Sequence, residues 1–287
     1  MELHPRSKAA RLVRSLRFMQ SIRGWDRLTK ALVPRRYDEI FVAKYRGGYY
    51  TGDLGYFIDR AVYLRGGYEH QFLDLFEKFA ASAGRQGVIL DIGANVGTHS
   101  LSFSRCFSAV HSFEPNPLVW PRFKANVAIN ERQNITLNEF GLGDANAELP
   151  PYNIAEHEFG MGTVLPIEQY DEPLKQVGTV SVRRGDDIVE AEGIRVVSAM
   201  KIDVQGFEPE VLKGLRSTLA ASKPIVWLEV GYGTGEKMDS LEALSALFPF
   251  PIEAFRFASG GSWRLRYSLE KAAPGALPYG DYLVVPQ

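Results

Sequence analysis

Residues 88–114 constrain the fold of this chain more than any other stretch. The apolar run Val88-Ile89-Leu90 predicts a short buried strand, a helical pattern follows a glycine turn, and strand character returns before Glu114. Gly93 and Gly97 carry no Cβ atom, so the backbone can turn sharply there and approach a ligand. Glu114 lies 21 residues after Gly93, about where an acid chelates a ribose diol. Together these features predict a nucleotide-binding βαβ unit in an α/β fold.

The class of ligand depends on Asp91, two residues before the first glycine. The dinucleotide pattern G-x-G-x-x-G cradles a pyrophosphate, whereas the spacing here is G-x-x-x-G and the Asp91 carboxylate would repel an anion. A carboxylate favours a ligand with an ammonium and a sulfonium group, and S-adenosylmethionine has both. An NAD(P)-dependent oxidoreductase and a non-catalytic nucleotide-binding adaptor are the alternatives. The adaptor predicts damaged cofactor residues, but Asp91, Gly93, Gly97 and Glu114 are all present.

Composition predicts a soluble, cytoplasmic protein with a full-sized core. The 287 residues are 45% hydrophobic and 23% charged, as in ordinary globular domains. The single cysteine, Cys106, excludes an internal disulfide framework and fits a reducing compartment. No apolar run approaches the ~20 residues of a membrane span, and no signal-peptide pattern is visible.

The first 66 residues are expected to form an extension to the main domain of residues 67–287. Ten of the 33 Lys and Arg residues lie in residues 1–37, against two acids. Apolar residues at helical spacing predict one basic amphipathic helix over residues 6–33. Such a helix can lie on an anionic membrane surface or dock on a partner, but packing on its own domain or on a second subunit is favoured. Residues 39–65 predict short strands and turns.

The main domain shows further strands and helices in alternation. A helix is expected from Tyr68-Glu69 to Ala81, and the later elements are helices over 117–130, 208–219 and 239–248 and strands over 134–140, 195–203, 224–230, 251–258 and 281–285. Residues 145–185 lack a regular pattern and are expected to form a lid or substrate loop. Acidic residues outnumber basic residues outside residues 1–37. This excess of negative charge argues against a long basic surface that binds nucleic acid.

The quoted segments resemble the FkbM family of S-adenosylmethionine-dependent methyltransferases over about residues 68–285. The matching motifs are Gly67-Tyr68-Glu69, Asp91 to Gly97 with Ser100, Phe113-Glu114-Pro115, Gly141 to Asp144, Asp186-Asp187 and Lys201 to Glu208. The family usually has an acid where this chain has Gln205, and a leucine where it has Gly185. A carboxylate role at position 205 is therefore in doubt.

The resemblance implies a doubly wound, Rossmann-like sheet that is mostly parallel and has an antiparallel last strand. It also implies O-methylation of a hydroxyl on a sugar, glycan or secondary metabolite, and a cofactor site that includes Glu69 and Ser100. Gly93, Asn95 and Gly97 would surround the methionine part of S-adenosylmethionine. Glu114 would then bind the ribose and Asp144 the adenine.

An alcohol is a weak nucleophile near neutral pH, so a base or a metal ion is expected to help remove its proton. Asp203 follows a strand and is the first candidate, as base or as metal ligand. His157 and Glu229 are the next candidates. Asp203 and Glu229 end neighbouring strands and could together hold Mg²⁺, which prefers oxygen ligands. Alternatively, Asp203 only orients the cofactor or caps the next helix. The acceptor is expected to contact residues 45–68 and 145–185.

Overall fold

A computed structural model describes residues 2–34, 39–150, 152–153, 162–163, 175–176, 178–231 and 237–287. The helices are α1 (Lys8–Ser15), α2 (Trp25–Leu32), α3 (Phe57–Arg65), α4 (His70–Ser82), α5 (Thr98–Phe103), α6 (Trp120–Ala128), α7 (Gly185–Ala191), α8 (Glu208–Gly214), α9 (Arg216–Ser222) and α10 (Leu241–Ala246), with one 3₁₀ turn at Arg17–Met19. The strands are β1 (Ile40–Tyr45), β2 (Gly48–Asp53), β3 (Val88–Ile92), β4 (Ala109–Phe113), β5 (Ile135–Asn138), β6 (Gly141–Gly143), β7 (Ala147–Leu149), β8 (Tyr152–Asn153), β9 (Gly162–Thr163), β10 (Lys175–Gln176), β11 (Val180–Arg184), β12 (Val197–Ile202), β13 (Ile225–Val230), β14 (Ile252–Gly260), β15 (Arg266–Lys271) and β16 (Gly280–Pro286).

An eight-stranded sheet in the order β15-β14-β16-β13-β12-β3-β4-β5 forms the centre of the fold. Strands β5, β4, β3, β12 and β13 are parallel, and β16 runs antiparallel between β13 and β14. The predicted doubly wound sheet with an antiparallel last strand is confirmed. The edge strand β15 was not expected, because its residues are half or fully exposed and only Tyr267 and Leu269 give it an apolar face.

Helices cover both faces of this sheet. On one face, Phe76 of α4 and Phe103 of α5 pack with Trp227 of β13. On the other face, residues of α7 to α10 pack against Leu90, Met200 and their neighbours on the strands. Because both faces are covered, the strands are continuous apolar runs, as is usual for buried parallel sheets. The open edge at the carboxyl ends of the strands is left for a site.

The N-terminal segment differs from the predicted single helix over residues 6–33. Helix α1 ends at Ser15, a 3₁₀ turn follows, and α2 begins only after Gly24, whose φ of +89° breaks the helical path. The short strands and turns predicted for residues 39–65 are present as β1 and β2, but the prediction was wrong for Phe57–Arg65, which is helix α3. Residues 59–64 of α3 are all buried, so the helix shows no polar face from which its period could be recognised.

The N-terminal segment packs on its own domain. Ala10, Val13 and Trp25 share a core with Val96 and Leu101 next to the glycine turn. Residues 21–23 pair with residues 263–265 just before β15, through hydrogen bonds from Arg23 N to Trp263 O (2.8 Å) and from Leu265 N to Ser21 O (2.7 Å). None of the helices in the described ranges has the length and hydropathy to cross a bilayer. Contact with a membrane surface or with a second subunit stays a prediction.

Asn126 of α6 and Asn130, two residues beyond the end of that helix, connect the β1–β2 hairpin to the glycine turn. The buried Asn126 accepts a hydrogen bond from Thr51 N (2.9 Å) and donates to Val96 O (3.1 Å). Asn130 accepts from Tyr49 N and donates to Tyr49 O, both at 2.7 Å. The hairpin is therefore fixed relative to the turn that carries the site.

Candidate active site

Asp91 is completely buried at the end of β3, where it faces the first turn of α5. Its Oδ2 accepts a hydrogen bond of 2.5 Å from Ser100 Oγ, which also contacts Ser112 Oγ at 2.9 Å. Its Oδ1 has no hydrogen-bond partner among the described residues. A buried carboxylate oxygen without a partner is costly, so this atom is available to a cationic donor.

The two glycines of the turn serve contacts within the protein. Gly93 has a φ of +84°, and a Cβ atom there would lie 1.9 Å from the carbonyl oxygen of Asp203. Gly97 has the same φ, and its Cβ would lie 2.9 Å from the ring of Phe123 on α6. The sequence pattern predicted close approach to a ligand. The structure shows close approach to the loop after β12 and to a helix, which brings Asp203 next to the turn. The contact of Gly93 and Gly97 with the cofactor stays a prediction.

Glu114 lies at the end of β4 and accepts two backbone hydrogen bonds. Its Oε2 accepts from Asn95 N and its Oε1 from Asn116 N, each at 2.8 Å. Burial raises the pKa of Glu114 to about 7, although both hydrogen bonds favour the ionised form. Asn95 has a φ of +51°, which directs its amide towards Glu114. The ribose role of Glu114 and the methionine role of Asn95 stay predictions.

Lys201 on β12 is the central cation of the site, and the side chain is almost fully buried. In the sheet register Lys201 lies between Asp91 on β3 and Trp227 on β13. Its Nζ donates to Asp203 Oδ2 at 3.0 Å, and Gln205 Nε2 donates to Asp203 Oδ1 at 3.0 Å. Burial opposes the charge on Asp203, but the Lys201 ammonium and these hydrogen bonds outweigh it and hold its pKa below the usual value.

Three further carboxyl groups surround this ion pair. Glu229 ends β13 and pairs in register with Asp281, because the antiparallel β16 begins where the parallel strands end. Glu69, the residue before α4, adds a third carboxyl group. Burial, reinforced by neighbouring negative charges that include Asp203, raises the pKa of each of the three to about 7.

Neutral partners hold this carboxyl cluster in place. Tyr279 Oη donates to Glu229 Oε1 at 2.6 Å, and Trp227 Nε1 donates to Asp281 Oδ1 at 2.8 Å. His99 Nε2 lies 3.2 Å from Glu69 Oε2. Burial, together with the charge of Lys201, lowers the pKa of His99 to about 3, so the imidazole is neutral near pH 7.

Two more predicted positions lie beside the site. Glu208 is fully buried at the start of α8, where its Oε1 accepts from Val204 N at 2.9 Å and so shapes the loop after Asp203. Asp144 is exposed at the end of β6. Its adenine role stays a prediction. His157 lies outside the described residues, so its predicted role is untested.

The site therefore gathers Asp91, Glu69, Asp203, Glu229 and Asp281 around one lysine. All five groups lie at the carboxyl edge of the parallel strands, where doubly wound sheets bind ligands. Asp91 is buried and the other four carboxyl groups are half-buried, and this excess of carboxyl groups over cations favours a positively charged ligand. The family model described as "Methyltransferase FkbM domain" matches residues 91–255, which is more than half of the chain.

The chain belongs to the FkbM methyltransferase family. Among curated relatives, hexuronic acid methyltransferase AglP of Haloferax volcanii is 26% identical over 164 residues, or 57% of this chain and 64% of that protein. Methyltransferase 1 of Beauveria bassiana is 27% identical over 143 residues, or 44% of this chain and 57% of that protein. The matches thus span less than two thirds of these relatives.

Solved structures of methyltransferases align with the same domain. The methyltransferase FkbM from Methylobacillus flagellatus has a TM-score of 0.43 and 16% identity, covering 73% of this chain and 52% of that one. An O-methyltransferase from Bacillus cereus, solved with S-adenosylhomocysteine, has a TM-score of 0.42 and 12% identity, covering 76% of this chain and 81% of that one.

The residues of this FkbM domain do not fit the predicted Mg²⁺ site at Asp203 and Glu229. Both oxygens of Asp203 already accept hydrogen bonds, one of them from the Lys201 ammonium, which would repel a divalent cation. The described residues contain no group of three or more His, Cys, Asp or Glu side chains arranged for a metal ion. No step is therefore derived through a metal.

Sequence reasoning missed Lys201, His99 and Asp281 as site residues. Lys201 was visible in the quoted motif, two residues before Asp203, but a lysine inside an apolar strand was not given a role. His99 directly follows the glycine turn and first becomes significant beside Glu69. Asp281 had no local signal, because only the antiparallel pairing of β16 with β13 places it opposite Glu229.

Proposed function

We propose that this chain is an S-adenosylmethionine-dependent O-methyltransferase that acts on a hydroxyl group of a sugar-containing molecule or related metabolite. The observation that carries the proposal is the half-buried carboxyl cluster at the strand ends, together with the buried Asp91, in which Lys201 is the central cation. Such a site suits the ammonium and sulfonium groups of the cofactor. Family membership supports methyl transfer, and the similarity to a hexuronic acid methyltransferase of Haloferax volcanii supports a sugar acceptor.

Asp91 and Asp203 are proposed to hold the cofactor. The unpartnered Oδ1 of Asp91 can accept from the ammonium group, and the lowered pKa of Asp203 keeps a negative charge beside the site. The same lowered pKa makes Asp203 a weak base. This weighs against the sequence-based expectation that Asp203 removes the acceptor proton.

Glu69 fits the role of general base better. Its pKa is raised to about 7 by burial and by Asp203, which matches a base that works near neutral pH. When bound, the cofactor supplies an electrophilic methyl group. Glu69 would accept the hydroxyl proton as the oxygen–carbon bond forms and the carbon–sulfur bond breaks, leaving S-adenosylhomocysteine. Neutral His99, 3.2 Å away, would then steady the carboxyl group.

The test combines equilibrium binding of S-adenosylhomocysteine with labelled-methyl transfer to glycans and small hydroxylated molecules. We expect S-adenosylhomocysteine to bind and NAD not to bind. Binding of NAD alone would support the oxidoreductase, and cofactor binding with no transfer to any acceptor would support the adaptor. Glu69→Gln should lower turnover at least tenfold with little change in cofactor affinity. Full turnover in Glu69→Gln would remove it as the base.

A further inference from the structure

The N-terminal segment encloses a cavity that reaches the carboxyl cluster. This cavity of about 320 Å³, here called the Trp25 cavity, is lined by residues 20–26, by the start of α4 including Tyr68 and Glu69, and by Leu265 and Tyr267. The pairing of residues 21–23 with residues 263–265 closes its outer wall. The volume lies within the range of about 300–1,000 Å³ that is typical of small-molecule sites.

Three residues that line the Trp25 cavity each carry a buried polar atom without a hydrogen-bond partner among the described residues. They are Gln20 Oε1, Trp25 Nε1 and His70 Nε2. Trp25 Nε1 can only donate and Gln20 Oε1 can only accept. His70 Nδ1 lies 3.2 Å from Gly67 O, and a proton on Nδ1 would leave Nε2 as an acceptor.

Buried polar atoms in folded proteins are nearly always hydrogen-bonded, so three unpaired atoms on side chains around one cavity are unusual. These atoms have almost no accessible surface, so a ligand in the cavity would reach them through a rotation of the side chains. A ligand with adjacent hydroxyl groups both donates and accepts, and could then pair with them. Aromatic rings of Phe57, Phe72 and Tyr267 provide flat apolar surfaces in the same cavity. Mixed aromatic and hydrogen-bonding linings suit a sugar ring.

A positively charged groove continues outward from the Trp25 cavity. It consists of two adjoining cavities of about 660 and 530 Å³, which share Arg17 and Lys44, and the larger one shares Gln20, Arg65 and His70 with the Trp25 cavity. This pair of cavities is here called the basic groove. Arg65 is neutralised by Asp26 at 2.6 Å, but Arg11, Arg17 and Lys44 form no ion pair with any described residue.

We infer that the Trp25 cavity binds the sugar unit that is methylated, and that the basic groove binds acidic groups on the rest of the same acceptor. The acceptor class is therefore an acidic glycan, with carboxylate or phosphate groups next to the reactive sugar. Glu69 lines the Trp25 cavity and also belongs to the carboxyl cluster. A hydroxyl group of an acceptor in the cavity is therefore beside the proposed base. The inference rests on the proposed function and adds the acceptor's location and charge.

The test measures binding of a hexuronic acid tetrasaccharide, of its carboxyl-reduced neutral counterpart and of a phosphorylated neutral tetrasaccharide, with S-adenosylhomocysteine present. We expect at least one acidic glycan to bind roughly tenfold more tightly than the neutral one, and the difference to shrink at high salt. The preferred acid identifies carboxylate or phosphate as the groove's ligand. Equal or absent binding of all three would overturn the inference.

Variants separate the two parts of the site. The double variant Arg17→Gln/Lys44→Gln should weaken binding of the acidic glycan roughly tenfold. The control variant Arg195→Gln/Arg216→Gln changes two exposed arginines outside the groove and should leave this affinity unchanged. Gln20→Met and Trp25→Phe should weaken binding of acidic and neutral glycans alike, because the first replaces the amide by an apolar side chain of similar length and the second removes the indole N–H. Unchanged glycan binding in both sets would overturn the inference.

Binding of S-adenosylhomocysteine, measured in the same variants, distinguishes this inference from the proposed function. Retained S-adenosylhomocysteine binding without glycan binding would reject the acceptor site and keep the proposed cofactor. Absence of S-adenosylhomocysteine binding in the unmodified chain would reject the proposed function, even if the glycan binds.

Discussion

At the scale of single residues, Lys201 controls the electrostatics of the site. It is buried between Asp91 and Trp227 and hydrogen-bonds to Asp203, so its charge offsets several carboxyl groups at once. Those acids in turn raise the pKa of Lys201 above its usual value, although burial acts in the opposite direction. An ammonium held in this way is permanently charged at physiological pH.

Removal of this cation should destabilise the folded chain. Lys201→Met is expected to cost about 3 kcal/mol, because it leaves the half-buried Asp203 without its cation. The double variant Lys201→Met/Asp203→Asn should cost less than the sum of the single variants. Urea denaturation of the four proteins measures this coupling. Additive losses would contradict a direct ion pair.

Asp91 provides the sharpest residue-level test of the cofactor site. Asp91→Asn keeps the size of the side chain but removes the charge, so affinity for S-adenosylhomocysteine should fall about tenfold or more. Asp239→Asn, which changes an exposed carboxylate outside the carboxyl cluster, is the matched control. Isothermal titration of both variants gives the comparison, and equal affinities would remove Asp91 from the site.

At the scale of elements, two loops at the carboxyl ends of β3 and β12 are packed against each other. Asp203 N donates to Ile92 O at 3.0 Å, and Gly93 leaves no room for a Cβ against the Asp203 carbonyl. The position of Asp203 therefore depends on Gly93, which follows the neighbouring strand β3. The hairpin bonded to Asn126 braces the same turn from the opposite side.

The contact between these loops can be tested with a pair of glycine substitutions. Gly193 has a φ of +66° and open space around it. Gly193→Ala should therefore lower the free energy of unfolding by about 1 kcal/mol through backbone strain alone. Gly93→Ala adds a collision with the Asp203 backbone, so it should lower the free energy of unfolding by about 3 kcal/mol or more. It should also weaken binding of S-adenosylhomocysteine. Equal losses in thermal unfolding would show that the loops are not in close contact.

At the scale of the whole molecule, the carboxyl cluster makes stability depend on pH. Glu69, Glu229 and Asp281 have a pKa of about 7 when folded, against 4.5 for a free Glu and 3.8 for a free Asp. The pKa values of Glu114 and Glu208 are also raised, to about 7 and about 8. Burial lowers the pKa of His70, His99 and His111 and shifts the proton balance in the opposite direction, but these are three groups against five. Between pH 4.5 and 7 the folded chain therefore binds more protons than the unfolded chain.

The free energy of unfolding should consequently fall as pH rises through this window. Denaturation by urea at pH 5, 6, 7 and 8 measures the slope, which Glu69→Gln should reduce. Glu242→Gln, an exposed acid in α10, should leave it unchanged. Stability that is flat or increasing from pH 5 to 7 would contradict the buried cluster.

The sequence alone determined the central sheet, the βαβ unit and the acids Asp91, Glu114 and Asp203. These features depend on short-range patterns, namely strand runs, glycine spacing and acids at strand ends. Helix α3 and strand β15 could not be recognised locally. The first is buried all round, and the second is exposed along its length.

Only the tertiary structure decided which groups meet at the site. Asp281 joins Glu229 because β16 enters the sheet antiparallel, and Glu69 joins Lys201 because α4 packs on the face of the sheet to which Lys201 belongs. Residues 20–26 enclose the Trp25 cavity because they pair with a segment about 240 residues further along the chain. Such contacts between distant segments depend on packing and strand direction, which no local pattern in the sequence specifies.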